Sequence, residues 1–248
     1  MQEIHSQPED EVKWRKEWGS KIYLNHGSSN SRGTMIGFSK NLDIQNLSYH
    51  KDNEGRIQTC SFTHNDKKYL IINVYNANIE SEQVKTLETL SSMIENCDPL
   101  ESEIIIGGDF NFIFDKKLDA LGGNPSLKLN SISEVTKIIN KFDLCDIFRI
   151  RNPEKKLYTF RKPTPRLFRR LDFFLCSNML KDNVLKTEIL ASIDSDHSPI
   201  VLKIGEMDPE NRGSSLWKFP STLSQDLIYV NEIKEGIEKY ILILNELM

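Results

Sequence analysis

Long apolar runs are missing from this chain of 248 residues. No stretch approaches the roughly 18 consecutive residues that a membrane span needs, and Met1-Gln2-Glu3 does not open a secretory signal. A soluble, intracellular protein is therefore expected. Cysteine is scarce: Cys60, Cys97, Cys145 and Cys176 show no paired metal spacing. Each sits in or beside an apolar segment, which favours buried free thiols over disulfides. A basic excess is also lacking, with Lys+Arg 32 against Asp+Glu 36 and net charge −4, which argues against a general nucleic-acid coat. Internal repeats and low-complexity tracts are absent, which excludes solenoids and disordered arrays. The 38% hydrophobic content supports one α/β or α+β domain of about 200 residues plus a tail.

Hydrophobic patterning predicts the elements. Glu9 to Trp18 reads as a polar helix after a strand end at Gln2–His5. Lys21–His26 and Gly33–Ser39 read as strands, as do Arg56–Thr63 and Lys68–Tyr75, the latter two joined by a turn at His64–Lys67. Residues 80–97 carry helical spacing at Val84, Leu87, Leu90, Met93 and Ile94. A second amphipathic helix runs from Ile132 to Phe142 with Ser131 or Ser133 as its cap. Leu157–Arg161, Arg170–Cys176, Lys186–Ile193 and Pro199–Ile204 complete about ten strands, which suits an αββα sandwich better than a doubly wound parallel sheet. Composition shifts after Gly205: residues 206–222 read as a linker and 223–248 as a helical tail, leaving a domain at 1–205.

The central stretch is Ile104-Ile105-Ile106-Gly107-Gly108-Asp109-Phe110-Asn111. Three β-branched residues read as a strand buried on both faces, the glycines as a sharp turn, and Asp109 and Asn111 as polar groups aimed at one spot. An Asx-type turn is the plainer alternative. Asp172 lies within an apolar strand, where a charge needs a partner, and His197 in Ser195-Asp196-His197-Ser198-Pro199 is the candidate. Tyr75, at a strand end, reads by itself as structural, and Glu3 as unremarkable. Residues 151–170 hold eight cations against the single anion Glu154, with Tyr158, Phe160 and Phe168 interleaved, a pattern suited to phosphate contacts and base stacking.

Taken in order, Gln2-Glu3, Asn73-Val74-Tyr75-Asn76-Ala77-Asn78, Gly107-Gly108-Asp109-Phe110-Asn111, Leu171-Asp172-Phe173-Phe174-Leu175 and Ser195-Asp196-His197-Ser198-Pro199 resemble the endonuclease/exonuclease/phosphatase superfamily. They look most like the apurinic-type endonuclease domain of LINE-type (non-LTR) retrotransposon polyproteins. The resemblance implies a four-layer αββα sandwich lacking its first strand, because members carry an earlier strand with an active-site Asn ahead of the metal-binding Glu. It implies Glu3 and Asp196 as ligands of Mg²⁺ or Mn²⁺, and Asp109 to orient or deprotonate the attacking water. Asn111 and Tyr75 would hold the scissile phosphate, and His197, paired with Asp172, would donate to it. Thr159 and Ser195 would contact the DNA backbone, with Arg161, Lys162, Arg169 and Arg170 adding charge. The implied activity is nicking of DNA during retrotransposition, in the nucleus, by a chain whose polyprotein also carries a reverse transcriptase. A catalytically dead fragment that at most binds nucleic acid is one alternative, and a repair-type abasic endonuclease or phosphatase of the same fold is the other.

Overall fold

The computed structural model describes residues 1–205 apart from Ser20, Ser29, Ile193 and Asp194, together with seven residues between Val230 and Glu238. The chain divides into Met1–Gly205 and Glu206–Met248. In the second unit the described residues are helical; the expected linker at 206–222 lies outside the described residues. Among the described residues no helix is long and apolar enough to cross a membrane.

In the first unit, a turn of 3₁₀ helix leads into α1 (Glu11–Trp18), followed by β1 (Ile22–Asn25), β2 (Thr34–Gly37), β3 (Gln45–Lys51), β4 (Ile57–His64) and β5 (Lys67–Tyr75). Then come α2 (Glu80–Glu95), β6 (Glu103–Asp109), β7 (Ala120–Leu121), α3 (Leu129–Lys141), β8 (Leu144–Asp146) and α4 (Ile147–Arg151). The hairpin β9 (Phe160–Lys162) and β10 (Leu167–Arg169) precedes β11 (Asp172–Ser177), β12 (Val184–Ile189) and β13 (Ile200–Ile204). Six strands form the main sheet in the order β3-β4-β5-β6-β11-β8. Its one parallel pair, β5 with β6, requires a crossover, and α2 supplies it.

Two layers of core flank this sheet. Leu87, Leu90 and Ile94 of α2 and Val135 and Ile138 of α3 pack on Leu70, Ile72, Ile104 and Ile106. Each fully buried aliphatic side chain contributes about 1.5–3 kcal/mol. On the other face, Ile105 and Phe174 meet Cys145, Cys176 and Val184 beneath the β12–β13 hairpin. The apolar run 104–106 is thus covered on both sides, as its composition requires. The β1–β2 hairpin buries Ile22, Leu24 and Met35 with Ile4, and Trp14 of α1 packs against that cluster. The layers are those of an αββα sandwich, with the second β layer divided into two hairpins. All four cysteines are free thiols, and burial pushes the Cys60 and Cys176 thiols up to about 12.

Two local readings are corrected, and β3, β8 and α4 are among the elements added. Gly107 and Gly108 do not turn: β6 runs straight through them. They are small because neighbours come close; a Cβ on Gly107 would meet the Phe174 ring, and one on Gly108 would collide with the Val74 carbonyl. The chain turns at Asn111, whose φ is 55°. The second amphipathic helix begins at Leu129, so Ser131 is an internal, buried residue. The edge strand β3 carries a weak signal, with only Leu47 and Tyr49 partly buried among exposed polar residues, and β8 and α4 are too short to produce a period.

Candidate active site

Strand register assembles the centre. In the parallel pair β5–β6, Tyr75 stands opposite Asp109; in the antiparallel pair β6–β11, Asp109 stands opposite Asp172. Three chemically active residues therefore occupy one rung across three adjacent strands. His197 completes the group: its Nδ1 lies 2.9 Å from Asp172 Oδ2. Ligand atoms of Asp109, Asp172 and His197 all lie within 4.8 Å of one another.

Each loop is fixed by its own hydrogen bonds. The Asn111 backbone N–H donates to Asp109 Oδ1 at 2.8 Å, an Asx turn, while its side chain donates to the Asn76 carbonyl at 2.9 Å. The Asn111 carbonyl accepts from Gln83 Nε2 and from Lys128 Nζ, both at 2.9 Å. Gln83 is fully buried and also donates to the Ala77 carbonyl at 2.6 Å, so it clamps the loops after β5 and β6 together. Tyr75 Oη donates to the Glu3 carboxylate. Glu3 is held beside β2 by the bond from the Ile4 N–H to the Gly33 carbonyl, and the Arg56 guanidinium lies 5.7 Å from the Tyr75 ring centre. On the other side, the Arg161 N–H donates to the Asp196 carbonyl at 2.8 Å, and the Phe160 ring lies 5.3 Å from the His197 ring.

Electrostatics sort the roles of the three close groups. Burial pushes the Asp109 carboxyl up to about 7, with the nearby Asp172 charge and, more weakly, Glu3 adding to it; His197 and the Asn111 N–H oppose the shift. Burial alone would lower the His197 pKa, but the hydrogen bond to Asp172 and the charges of Asp172, Asp109 and Asp196 lift it to about 9. His197 is thus an imidazolium in the metal-free protein at neutral pH, with Nδ1 committed to Asp172. Asp109 and Asp172 gather negative charge beside this imidazolium, and hard oxygen donors of this kind fit a divalent cation.

Several expected contacts fall elsewhere. Arg170, expected to face nucleic acid, is 1% exposed and is paired with Asp119 at 2.7 Å and Asp146 at 2.8 Å, so no phosphate can reach it. Arg169 donates to the carbonyls of Leu121 and Gly122 at 2.9 Å, tying β10 to the end of β7. Thr159 is 0% exposed and cannot touch a DNA backbone. Ser195 is exposed and its Oγ accepts the His197 N–H at 3.1 Å. Arg161 is half-buried; Lys162 and Asp196 are exposed. Sequence reasoning passed over Gln83, Lys128 and Arg56. Only Gln83 carried a signal: it shares the helical stripe of Leu87, Leu90 and Ile94, where a polar residue needs a buried partner.

No family model matches the chain. The architecture is the endonuclease/exonuclease/phosphatase nuclease fold. It superposes on an AP endonuclease from Archaeoglobus fulgidus with TM-score 0.64 and 18% identity, covering 82% of this chain and 87% of that one. It matches the 3′ phosphatase NExo from Neisseria bound to product DNA hairpin with TM-score 0.62 and 15% identity, over 83% and 87%. It also matches the endonuclease domain of TRAS1, a telomere-specific non-LTR retrotransposon, with TM-score 0.54 and 14% identity, over 76% and 82%. At the level of sequence the chain is similar to the "Transposon TX1 uncharacterized 149 kDa protein" of Xenopus laevis, 28% identical over 238 residues. That similarity spans 95% of this chain but 18% of the relative's length.

Proposed function

We propose that this chain is a divalent-metal-dependent phosphodiesterase that nicks DNA, acting as the target-site endonuclease of a retrotransposon. The observation that carries the reading is the Tyr75–Asp109–Asp172 rung closed by the His197 imidazolium. Phosphodiester hydrolysis needs an oriented water, fixed donors around phosphorus and relief of developing negative charge. Asp109, with a pKa near neutrality, is suited to orient the water and accept its proton. Asn111, pinned by four hydrogen bonds, keeps one Nδ2 hydrogen for a phosphate oxygen, and the Tyr75 hydroxyl, whose proton goes to Glu3 here, would turn to the phosphate once a cation engages that carboxylate. His197, charged and held by Asp172, adds a third. Mg²⁺ or Mn²⁺, for which the resemblance implies Glu3 and Asp196 as ligands, would neutralise charge on the phosphate when bound.

The exposed Lys162 with Arg161 on the β9–β10 hairpin supports a polynucleotide substrate over small phosphoesters. The match to a transposon protein supports the retrotransposon setting, and with it a nuclear site of action, a reverse transcriptase in the same polyprotein and a connecting role for residues 206–248. The test is nicking of supercoiled plasmid with Mg²⁺, beside an abasic duplex and inositol phosphates. Nicking that is lost with chelator, with Asp109→Ala and with His197→Ala, in variants that still melt cooperatively, is expected. Preference for the abasic duplex or the inositol phosphates would refute the retrotransposon reading, and nicking that survives both substitutions would refute the site.

A further inference from the structure

We infer that Thr159 is a positioning residue that locks Asp172 and His197 into one register. The side chain is fully enclosed, yet it lies at the junction of the two segments that carry the pair. Its Oγ accepts two backbone donors, Leu171 N–H at 2.9 Å and Asp172 N–H at 3.1 Å, so a single hydroxyl sets where β11 begins. Its own carbonyl accepts Ser198 N–H at 2.6 Å, which fixes the residue after His197. The Thr159 N–H donates to the Arg169 carbonyl at 2.9 Å, anchoring the junction to the base of the β9–β10 hairpin. One residue therefore joins the strand bearing Asp172 to the loop bearing His197, 25 positions apart in sequence. A hydroxyl has two lone pairs, and both are used here on backbone donors that have become part of the site's frame. The role follows from what Thr159 holds; it requires no contact with substrate.

The catalytic arm of the test rests on the nuclease reading; the spectroscopic arm does not. Thr159→Val keeps the shape and removes the acceptor, while Thr159→Ser keeps the acceptor. In protein with isotope-labelled histidine, the nitrogen shifts of the His197 ring, assigned by their loss in His197→Ala, report the bond to Asp172. Thr159→Val is expected to move them toward free histidine and to lower kcat by up to about 100-fold with KM unchanged, since misplacement of about 1 Å has that effect. Thr159→Ser restores both. A valine variant with wild-type ring shifts overturns the proposal, and so does one that raises KM alone, the mark of a phosphate contact. If the parent protein nicks nothing, the nuclease reading fails while the ring shifts still decide this one. If the valine variant does not fold, exchange of the Leu171 and Asp172 amides in the parent decides: exchange as slow as global unfolding supports the role, and fast exchange refutes it.

Discussion

Replacing Asp119 with alanine tests the frame behind the site. Asp119 is 1% exposed and its carboxylate receives Arg170 Nε at 2.7 Å, Arg149 Nη2 at 2.6 Å and the Asp115 N–H at 3.1 Å. Its carbonyl receives the Arg170 N–H at 2.9 Å. Arg149 can do without it, because it also donates to the carbonyls of Asn152, Pro153 and Lys155. Arg170 cannot: it is sealed between the rings of Phe173, 4.7 Å away, and Phe148, 5.6 Å away, and would keep Asp146 as its one carboxylate. Burial opposes the Arg170 charge, and Asp146 and Asp119 together more than offset it. Removing one of the two carboxylate partners of such a buried cation costs about 3–5 kcal/mol. For a domain of this size that corresponds to a Tm lowered by roughly 6–20 °C. Urea unfolding with an unchanged m-value and thermal melts measure it. Asp119→Ala combined with Arg170→Met is expected to lose less than the sum of the single changes, because the stranded charge is gone. A single variant within about 1 kcal/mol of the parent, the range of a solvated ion pair, would refute the account.

Three further outcomes follow from the same geometry. His197 and Asp109 both hold protons more tightly folded than unfolded. The His197 contribution is complete below about 6.5 and lost as pH rises through about 9, and the Asp109 carboxylate becomes a burden as it ionises up to about 7. Metal-free protein should therefore melt lower as pH rises from about 5 to 9, and Mn²⁺ should raise Tm more at the alkaline end; scanning calorimetry checks both. Gln83→Ala frees the carbonyls of Ala77 and Asn111, and is expected to lower stability by about 1–3 kcal/mol and to reduce kcat more than KM in the plasmid assay. Removing Arg161 and Lys162 together should weaken DNA binding at all sequences and reduce the slope of log K against log salt by about 2, whereas Arg169→Ala should lower Tm and leave the slope alone.

Much of this molecule can be read from its residues because the motifs lie where strands end. Ile104–Ile106 reads as a strand covered on both faces, and Asp172 within Leu171–Leu175 as a charge that needs a partner. The layered sandwich follows from many short strands punctuated by two amphipathic helices. What a linear reading misjudges is depth. In the run 151–170 the charges look alike, yet Lys162 faces solvent while Arg170 is enclosed; the difference is made by Asp119, more than 50 positions earlier. Thr159 looks like a polar contact for the same reason. The paired glycines look like a turn because the strands that crowd them, β5 and β11, are distant in sequence. Lys128 carries no local signature, since its partners are main-chain carbonyls of two other loops.

Because Tyr75, Asp109 and Asp172 are direct neighbours in consecutive ladders, these polar groups are soldered to the end rung of the central sheet. A slip of two residues in either ladder would keep every side chain on its proper face and still dismantle the centre. Registry errors that the hydrophobic core would tolerate would therefore scatter the site at once. Such a site cannot be loosened without fraying three central strands together, and any change in its contacts has to come from the surrounding loops.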